Sequence, residues 1–171
     1  MIVVDSNVLA YLYLPTEHTA AAEALLEQDP EWAAPMLWRS EFRNILAGYM
    51  RRKTISFEQA NSLQREAESL LEGAEFEVDS LTVLELVRDS ACSAYDCEFV
   101  ALAMQLDTKL VTMDKKLLRA FPKRAIALSA GNVLVPGSYP PQQHGGTSAK
   151  ARGHAKARGQ VLTKARGQVL F

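Results

Sequence analysis

The sequence predicts an α/β domain of three layers, in which helices cover both faces of a mainly parallel β-sheet. Short apolar segments typical of buried strands alternate with longer segments whose apolar residues recur every three to four positions. A chain of 171 residues, of which 48% are hydrophobic, can bury the core of one such domain. Regular alternation of strands and helices is the pattern of a parallel sheet with helices on both sides.

The first half of the chain begins with Ile2-Val3-Val4, a β-branched run that predicts a buried strand followed by a turn or a helix start. Asp29-Pro30 closes a helix rich in alanine and leucine, and Gly73 ends a helix that Ser56 and Gln59 begin as a capping box. The elements predicted here are strands over residues 2–4 and 32–34 and helices over residues 17–28, 37–52 and 56–71.

The second half continues the alternation and contains a helix with Phe99, Val100, Ala103 and Leu106 on one stripe. The predicted elements are strands over residues 76–78, 109–112 and 125–128 and helices over residues 81–93, 96–106 and 115–120. From residue 137 onward the composition changes: proline and glycine pairs interrupt the chain, and KARGQVL at residues 156–162 recurs at 164–170. We therefore predict one domain over residues 1–136 and a flexible, basic, repetitive extension over residues 137–171.

The net charge of −1 conceals an uneven distribution. Six of the 19 Lys and Arg residues lie in residues 140–171, which contain no Asp or Glu. Residues 1–139 therefore hold 13 basic and all 20 acidic residues, a net charge of −7. An acidic body is the reverse of what a passive nucleic-acid binder shows, although the basic extension could contact phosphates. Clustered acids that hold cations would explain the acidic body.

The two cysteines and the hydropathy pattern suggest a location. Cys92 and Cys97 lack the spacing of a zinc or redox motif and are too few for a disulfide framework. No segment approaches the roughly 20 apolar residues that a membrane span requires, and no charged segment opens a signal sequence. We expect a cytoplasmic protein that does not enter a membrane.

Four acids are candidates for chemistry. Asp5 and Asp114 each follow a predicted strand, so both would lie at the carboxyl edge of a parallel sheet, although helix capping explains either one alone. Glu41 and Asp96 lie on the apolar stripes of their helices, where a charge requires a partner. Arg39 and Arg43 are possible partners of Glu41 but fall on neighbouring faces. A shared metal is the simpler explanation.

Converging carboxylates repel one another unless a divalent cation compensates their charge. Oxygen ligands alone favour Mg²⁺ or Mn²⁺ over zinc. Such a site can lower the pKa of a bound water and neutralise charge on a leaving oxygen, so hydrolysis of a phosphodiester is the expected reaction.

Four segments carry a family resemblance. They are IVVDSNVL at residues 2–9, P-x-x-W-x-S-E-x-x-N at 35–44, Tyr95-Asp96 followed by VALA at 100–103, and LVT-x-D-x-x-L at 110–117. In this order and spacing they resemble the PIN-domain family, and in particular its VapC-type toxins of bacterial toxin–antitoxin systems. The resemblance spans residues 2–128, and Ser6 replaces the threonine that is commoner after the first Asp.

The resemblance implies a PIN-like α/β/α fold and a metal-dependent endoribonuclease. It implies that Asp5, Asp96 and Asp114 bind Mg²⁺ or Mn²⁺ directly or through water, that Glu41 completes the acidic pocket, and that Asn7 and Thr112 are polar residues close to it. It also implies an RNA substrate, a homodimer and a small antitoxin that holds the protein inactive. Helices between residues 37 and 71 would expose enough apolar surface for that antitoxin to dock, although packing in the core is the default use of such residues.

Two other functions are compatible with parts of the sequence. A phosphatase of the haloacid-dehalogenase type would use Asp5 as a nucleophile, but such proteins have a second Asp two residues later, where this chain has Asn7. A PIN-like binding module without catalysis would serve only a partner. The presence of all four acids argues against it.

Overall fold

The computed structural model of this chain describes residues 1–129, which form a five-stranded sheet and seven helices. The predicted extension over residues 137–171 and the predicted boundary at 136 lie outside this range. The strands are β1 (Ile2–Val4), β2 (Trp32–Pro35), β3 (Glu75–Phe76), β4 (Leu110–Thr112) and β5 (Ala125–Ala127). The helices are α1 (Ser6–Tyr13), α2 (Thr19–Gln28), α3 (Trp38–Arg51), α4 (Phe57–Leu70), α5 (Ser80–Arg88), α6 (Ala94–Gln105) and α7 (Lys115–Ala120).

The sheet has the strand order β3-β2-β1-β4-β5, and every pairing is parallel. Helices α1 to α4 pack among themselves, whereas α5 packs on α6 and α6 lies against β1, β2 and β4. The prediction of a three-layer α/β/α fold with a parallel sheet is confirmed. β1 is central and buried along its whole length, as its unbroken apolar sequence predicted.

Several predicted boundaries were wrong for local reasons. The segment after β1 is a full helix of eight residues, which the sequence indicated only as a turn or helix start. Helix α5 ends at Arg88 rather than at residue 93. Ser93 is instead the N-cap of α6, which begins two residues earlier than predicted. Strand β3 is Glu75–Phe76 rather than 76–78.

The apolar surface differs from the prediction. Within residues 37–71, Phe57 is the one large apolar side chain that is strongly exposed, at 69%. Other exposed apolar side chains in the described chain lie elsewhere, at Met1, Met36, Leu81, Leu84, Tyr95 and Met104. Cys92 and Cys97 are both buried and free. Within residues 1–129, no helix is long and apolar enough to cross a membrane.

Candidate functional site

Asp5 and Asp114 lie together at the carboxyl edge of the sheet. Asp5 follows β1 directly, and a single residue, Met113, separates Asp114 from the end of β4. These two strands are neighbours, and the chain runs outward from β1 through β2 to β3 on one side and through β4 to β5 on the other. A reversal of this kind opens a crevice at the carboxyl ends of the strands, where α/β proteins bind ligands.

The carboxylate of Asp5 is buried, with 7% of the residue exposed. Its Oδ2 accepts a hydrogen bond of 2.6 Å from the buried Thr112 hydroxyl, and its Oδ1 accepts one of 3.2 Å from the Asn7 N–H. Burial raises the pKa of Asp5, and the charges of Asp114 and Asp96 add to this increase, while the two hydrogen bonds oppose it. The charged form of Asp5 is therefore costly when no cation is bound.

Glu41 projects from the first turn of α3 and is partly buried. Its Oε2 accepts a hydrogen bond of 2.7 Å from the Ser6 hydroxyl. Burial raises the pKa of Glu41, with further contributions from the charges of Asp5, Asp96 and Glu98. The hydrogen bond from Ser6 opposes this increase in the pKa of Glu41.

The two arginines considered as partners of Glu41 are engaged elsewhere. Arg39 binds Glu75 through two hydrogen bonds of 2.6 and 2.8 Å and forms an ion pair of 2.8 Å with Glu68. Arg43 donates to the Ser40 hydroxyl. Neither arginine neutralises Glu41, so the charge of Glu41 still requires a cation, as the sequence predicted.

Asp96 and Asp114 hold their positions through helix starts. Asp96 and Ser93 form a reciprocal capping box at α6, with hydrogen bonds of 3.1 and 3.0 Å. Asp114 is the N-cap of α7 and accepts hydrogen bonds from the N–H groups of Lys116 and Leu117. Capping thus accounts for part of the role of both acids, as it does for Asp5, which is the N-cap of α1. The capping interaction of Asp96 was not expected from the sequence.

One cleft of about 220 Å³ brings the four acids together. Thr112 lies behind it, where its hydroxyl donates to Asp5 and accepts from the Asp114 N–H at 2.9 Å, linking the two acids. Asn7 lines the cleft and is exposed. The remaining lining residues are Ser6, Asn44, Ile45, Phe99 and Leu117.

The sequence motifs included Ser6 and Asn44, but the sequence did not identify them as residues that line the cleft. Ser6 had been noted only as a replacement for threonine, yet its hydroxyl orients Glu41. Asn44 lies three residues after Glu41 on the same side of α3, a spacing that could have identified it.

The cleft offers oxygen donors only, as a hard divalent cation requires. Glu41, Asp96 and Asp114 each use one carboxylate oxygen in the hydrogen bonds above, and within the described residues no hydrogen bond occupies the other oxygen. No three His, Cys, Asp or Glu residues among residues 1–129 stand close enough to form a ready-made metal-binding group. The donor types fit a cation, although these side chains do not form a complete coordination group in this structure.

The chain is thus a small parallel α/β/α protein with a cluster of carboxylates at the switch point of its sheet, where the strand order reverses. Comparison with known families makes the assignment specific. The model of the PIN domain matches residues 2–122, so the chain belongs to the PIN domain family. All four acids lie within the matched residues.

Individual relatives agree with this assignment. The chain is similar to "Ribonuclease VapC3" of Pyrobaculum aerophilum, with 28% identity over 128 residues that cover 71% of this chain and 95% of the relative. Its fold is similar to the crystal structure of PAE2754 from Pyrobaculum aerophilum, with a TM-score of 0.60, 23% identity and coverage of 74% and 90%. The structure of FitAB bound to the IR36 DNA fragment also matches, with a TM-score of 0.57, 18% identity and coverage of 74% and 94%.

Proposed function

We propose that this chain is a metal-dependent endoribonuclease that hydrolyses RNA phosphodiester bonds, with Asp5, Glu41, Asp96 and Asp114 as its catalytic acids. The observation that carries the proposal is the convergence of these four acids, from four separate elements, on one cleft at the switch point of the sheet. Membership of the PIN domain family and the name of the VapC3 relative support RNA as the substrate.

Asp5, Asp96 and Asp114 would hold Mg²⁺ or Mn²⁺, with Glu41 beside them. When bound, the cation would supply Lewis acidity that activates a water and neutralises charge on the phosphate. Because burial raises its pKa, Glu41 is suited to take a proton from the attacking water at its Oε1 atom. Ser6 holds the other oxygen of Glu41 and so orients the carboxylate. Asn7, exposed at the rim, can donate to a phosphate oxygen.

The nuclease assignment is tested with purified full-length chain, a pool of structured RNAs, and Mg²⁺, Mn²⁺ or EDTA. We expect metal-dependent internal cleavage that is lost in Asp5→Asn and Glu41→Gln. Glu72→Gln is the matched control, because Glu72 is an exposed acid after α4 that does not line the cleft. Binding of Mn²⁺, followed by electron paramagnetic resonance, reports on the metal site independently of cleavage.

Two results would overturn the assignment. Cleavage that persists in EDTA would exclude the metal mechanism. A folded protein that binds Mn²⁺ but cuts no RNA would favour a binding module. A phosphatase would instead form an acyl phosphate on Asp5, with release of the alcohol from a phosphate monoester, and water would then free the phosphate. The buried, doubly hydrogen-bonded carboxylate of Asp5 disfavours that reaction.

We further propose that the chain is the toxin of a cytoplasmic toxin–antitoxin pair, that it forms a homodimer and that a cognate antitoxin inhibits it. The VapC name of the relative supports this proposal. Induced expression in a bacterial host should arrest growth for the wild type but not for Asp5→Asn. Size-exclusion chromatography with light scattering should show a dimer, and a monomer at micromolar concentration would contradict that part.

A further inference from the structure

The side of α3 that lines the cleft continues beyond it. Glu41, Asn44 and Ile45 line the cleft, and Gly48 and Arg52 follow at steps of three and four residues, which is the spacing of one helix face. At 1.5 Å per residue, the backbone of Arg52 lies about 16 Å along the helix from that of Glu41. One stripe of α3 therefore joins the acids to an arginine outside the cleft.

The Arg52 side chain packs back against α3. Its guanidinium carbon lies 4.7 Å from the centre of the Tyr49 ring, within the range of a cation–π interaction. A Cβ atom added at Gly48 would stand 3.4 Å from Nη1 of the guanidinium. The side chain thus folds back over Gly48 toward the start of the helix, and so toward the cleft.

The turn that carries Arg52 is fixed as well. The Lys53 N–H donates to the Met50 carbonyl at 2.9 Å and the Thr54 N–H to the Tyr49 carbonyl at 3.0 Å, which together form a Schellman motif. Lys53 has φ of 58°, a left-handed conformation that glycine usually occupies. This conformation is strained for a lysine, and Lys53 is the third basic residue of the run Arg51-Arg52-Lys53.

Arg52 has no carboxylate partner within residues 1–129, whereas Arg39, Arg88 and Arg124 each form an ion pair. Two arginines in the described chain, Arg39 and Arg52, lie over an aromatic ring, and of these only Arg52 has no acidic partner. The residues that line the cleft include no Lys or Arg. A polyanion that enters the cleft can therefore contact a basic side chain only where it extends beyond the cleft.

We propose that Arg52, ordered on Tyr49, binds a backbone phosphate of the RNA a few nucleotides from the phosphate that is cleaved. This inference rests on the proposed function and names the path of the substrate: the strand leaves the acidic cleft along α3. A guanidinium held in a fixed plane can donate two parallel hydrogen bonds to one phosphate, so ordering by Tyr49 lowers the entropy cost of binding.

The test measures kcat and KM for a long RNA oligonucleotide that is cut at one site and for a truncated one that keeps only the nucleotides next to that site. For Arg52→Gln we expect KM of the long substrate to rise about tenfold and kcat to stay within twofold. The slope of log binding affinity against log salt concentration should become shallower by about the contribution of one phosphate contact. The truncated substrate should show no change in KM.

Three variants separate this role from a structural one. Arg43→Gln removes the same charge from the opposite side of α3 and should leave KM and the salt slope unchanged. Tyr49→Phe keeps the ring and should behave as wild type, whereas Tyr49→Leu should raise KM by a smaller factor than Arg52→Gln. Urea unfolding confirms that each variant is folded.

The outcomes distinguish this inference from the nuclease assignment. If wild type cleaves RNA and Arg52→Gln has the same KM and salt slope, the phosphate contact is wrong and the nuclease assignment stands. If KM rises equally for Arg43→Gln, general charge explains the effect and the specific site is wrong. If wild type neither cleaves nor binds RNA, the nuclease assignment fails and this inference fails with it.

Discussion

The four acids of the cleft form two pairs that are held in different ways. Asp5 and Glu41, the hydroxyl-held pair, each accept an O–H donor, from Thr112 and Ser6. Asp96 and Asp114, the helix-start pair, accept only backbone N–H donors and cap α6 and α7. In the first pair burial raises the pKa, so the charge opposes folding. The second pair stabilises helix starts, as Asp5 also does for α1, so the cost to stability in the first pair comes from the burial of its charges.

The largest expected effect separates activity from stability. Asp5→Asn and Asp96→Asn should each lower RNA cleavage by at least about a hundredfold, because both would bind the cation. Without metal at neutral pH, Asp5→Asn should raise the free energy of unfolding, since a buried charge is removed. Asp96→Asn should lower it by about 0.3–1 kcal/mol, through the lost charge at the start of α6. Single-turnover cleavage and urea unfolding provide the two readouts, and equal destabilisation by both variants would remove the distinction between the pairs.

The next effect is the response of stability to metal and pH. For the hydroxyl-held pair the folded-state pKa is raised, so its contribution to stability is present at acidic pH. That contribution is lost as pH rises through the raised pKa values. Mn²⁺ binds the charged form, and at 100 times its dissociation constant should add about 2.7 kcal/mol. Unfolding curves in EDTA and in Mn²⁺ across this pH range should therefore diverge as pH rises, and parallel curves would contradict the linkage.

A smaller effect is expected from the hydroxyl behind Asp5. Thr112→Val removes a hydrogen bond to a carboxylate, of the kind that contributes about 1.5–3 kcal/mol, and also the acceptor of the Asp114 N–H. Cleavage should fall about tenfold, and the acidic limb of the kcat/KM profile should move to higher pH because this bond lowers the pKa of Asp5. Thr112→Ser is the control that keeps the hydroxyl. An unmoved acidic limb in Thr112→Val would show that Asp5 does not govern the profile.

The smallest effect concerns the helix-start pair. Ser93→Ala removes the N-cap of α6 and should lower the free energy of unfolding by about 1 kcal/mol. It also loosens Asp96, so cleavage should fall, but by less than in Thr112→Val. Ser56→Ala removes the matching capping box of α4, whose residues do not line the cleft, and should cost similar stability with unchanged cleavage. Equal loss of cleavage in both variants would mean that global stability, not the position of Asp96, sets the rate.

The strand-end acids were the part of the site that sequence could predict best. Asp5 and Asp114 follow short apolar runs, and in a parallel sheet such residues necessarily meet at one edge. The order of the strands could not be predicted, because no local pattern specifies which strands pair. Ser6 illustrates the other limit, since its bond to Glu41 joins residues 35 positions apart. The fold brings them together, and no spacing in the sequence indicates it.

The bond between Thr112 and Asp5 joins residues 107 positions apart, and this separation has a consequence during synthesis. Asp5 and Glu41 leave the ribosome early, while Asp114 follows on the order of ten seconds later at ordinary rates of translation. Until β4 emerges and pairs with β1, the acids have no common surface. A nascent chain with the activity proposed above would therefore be unable to cut its own messenger RNA until β4 had been translated and had left the ribosome.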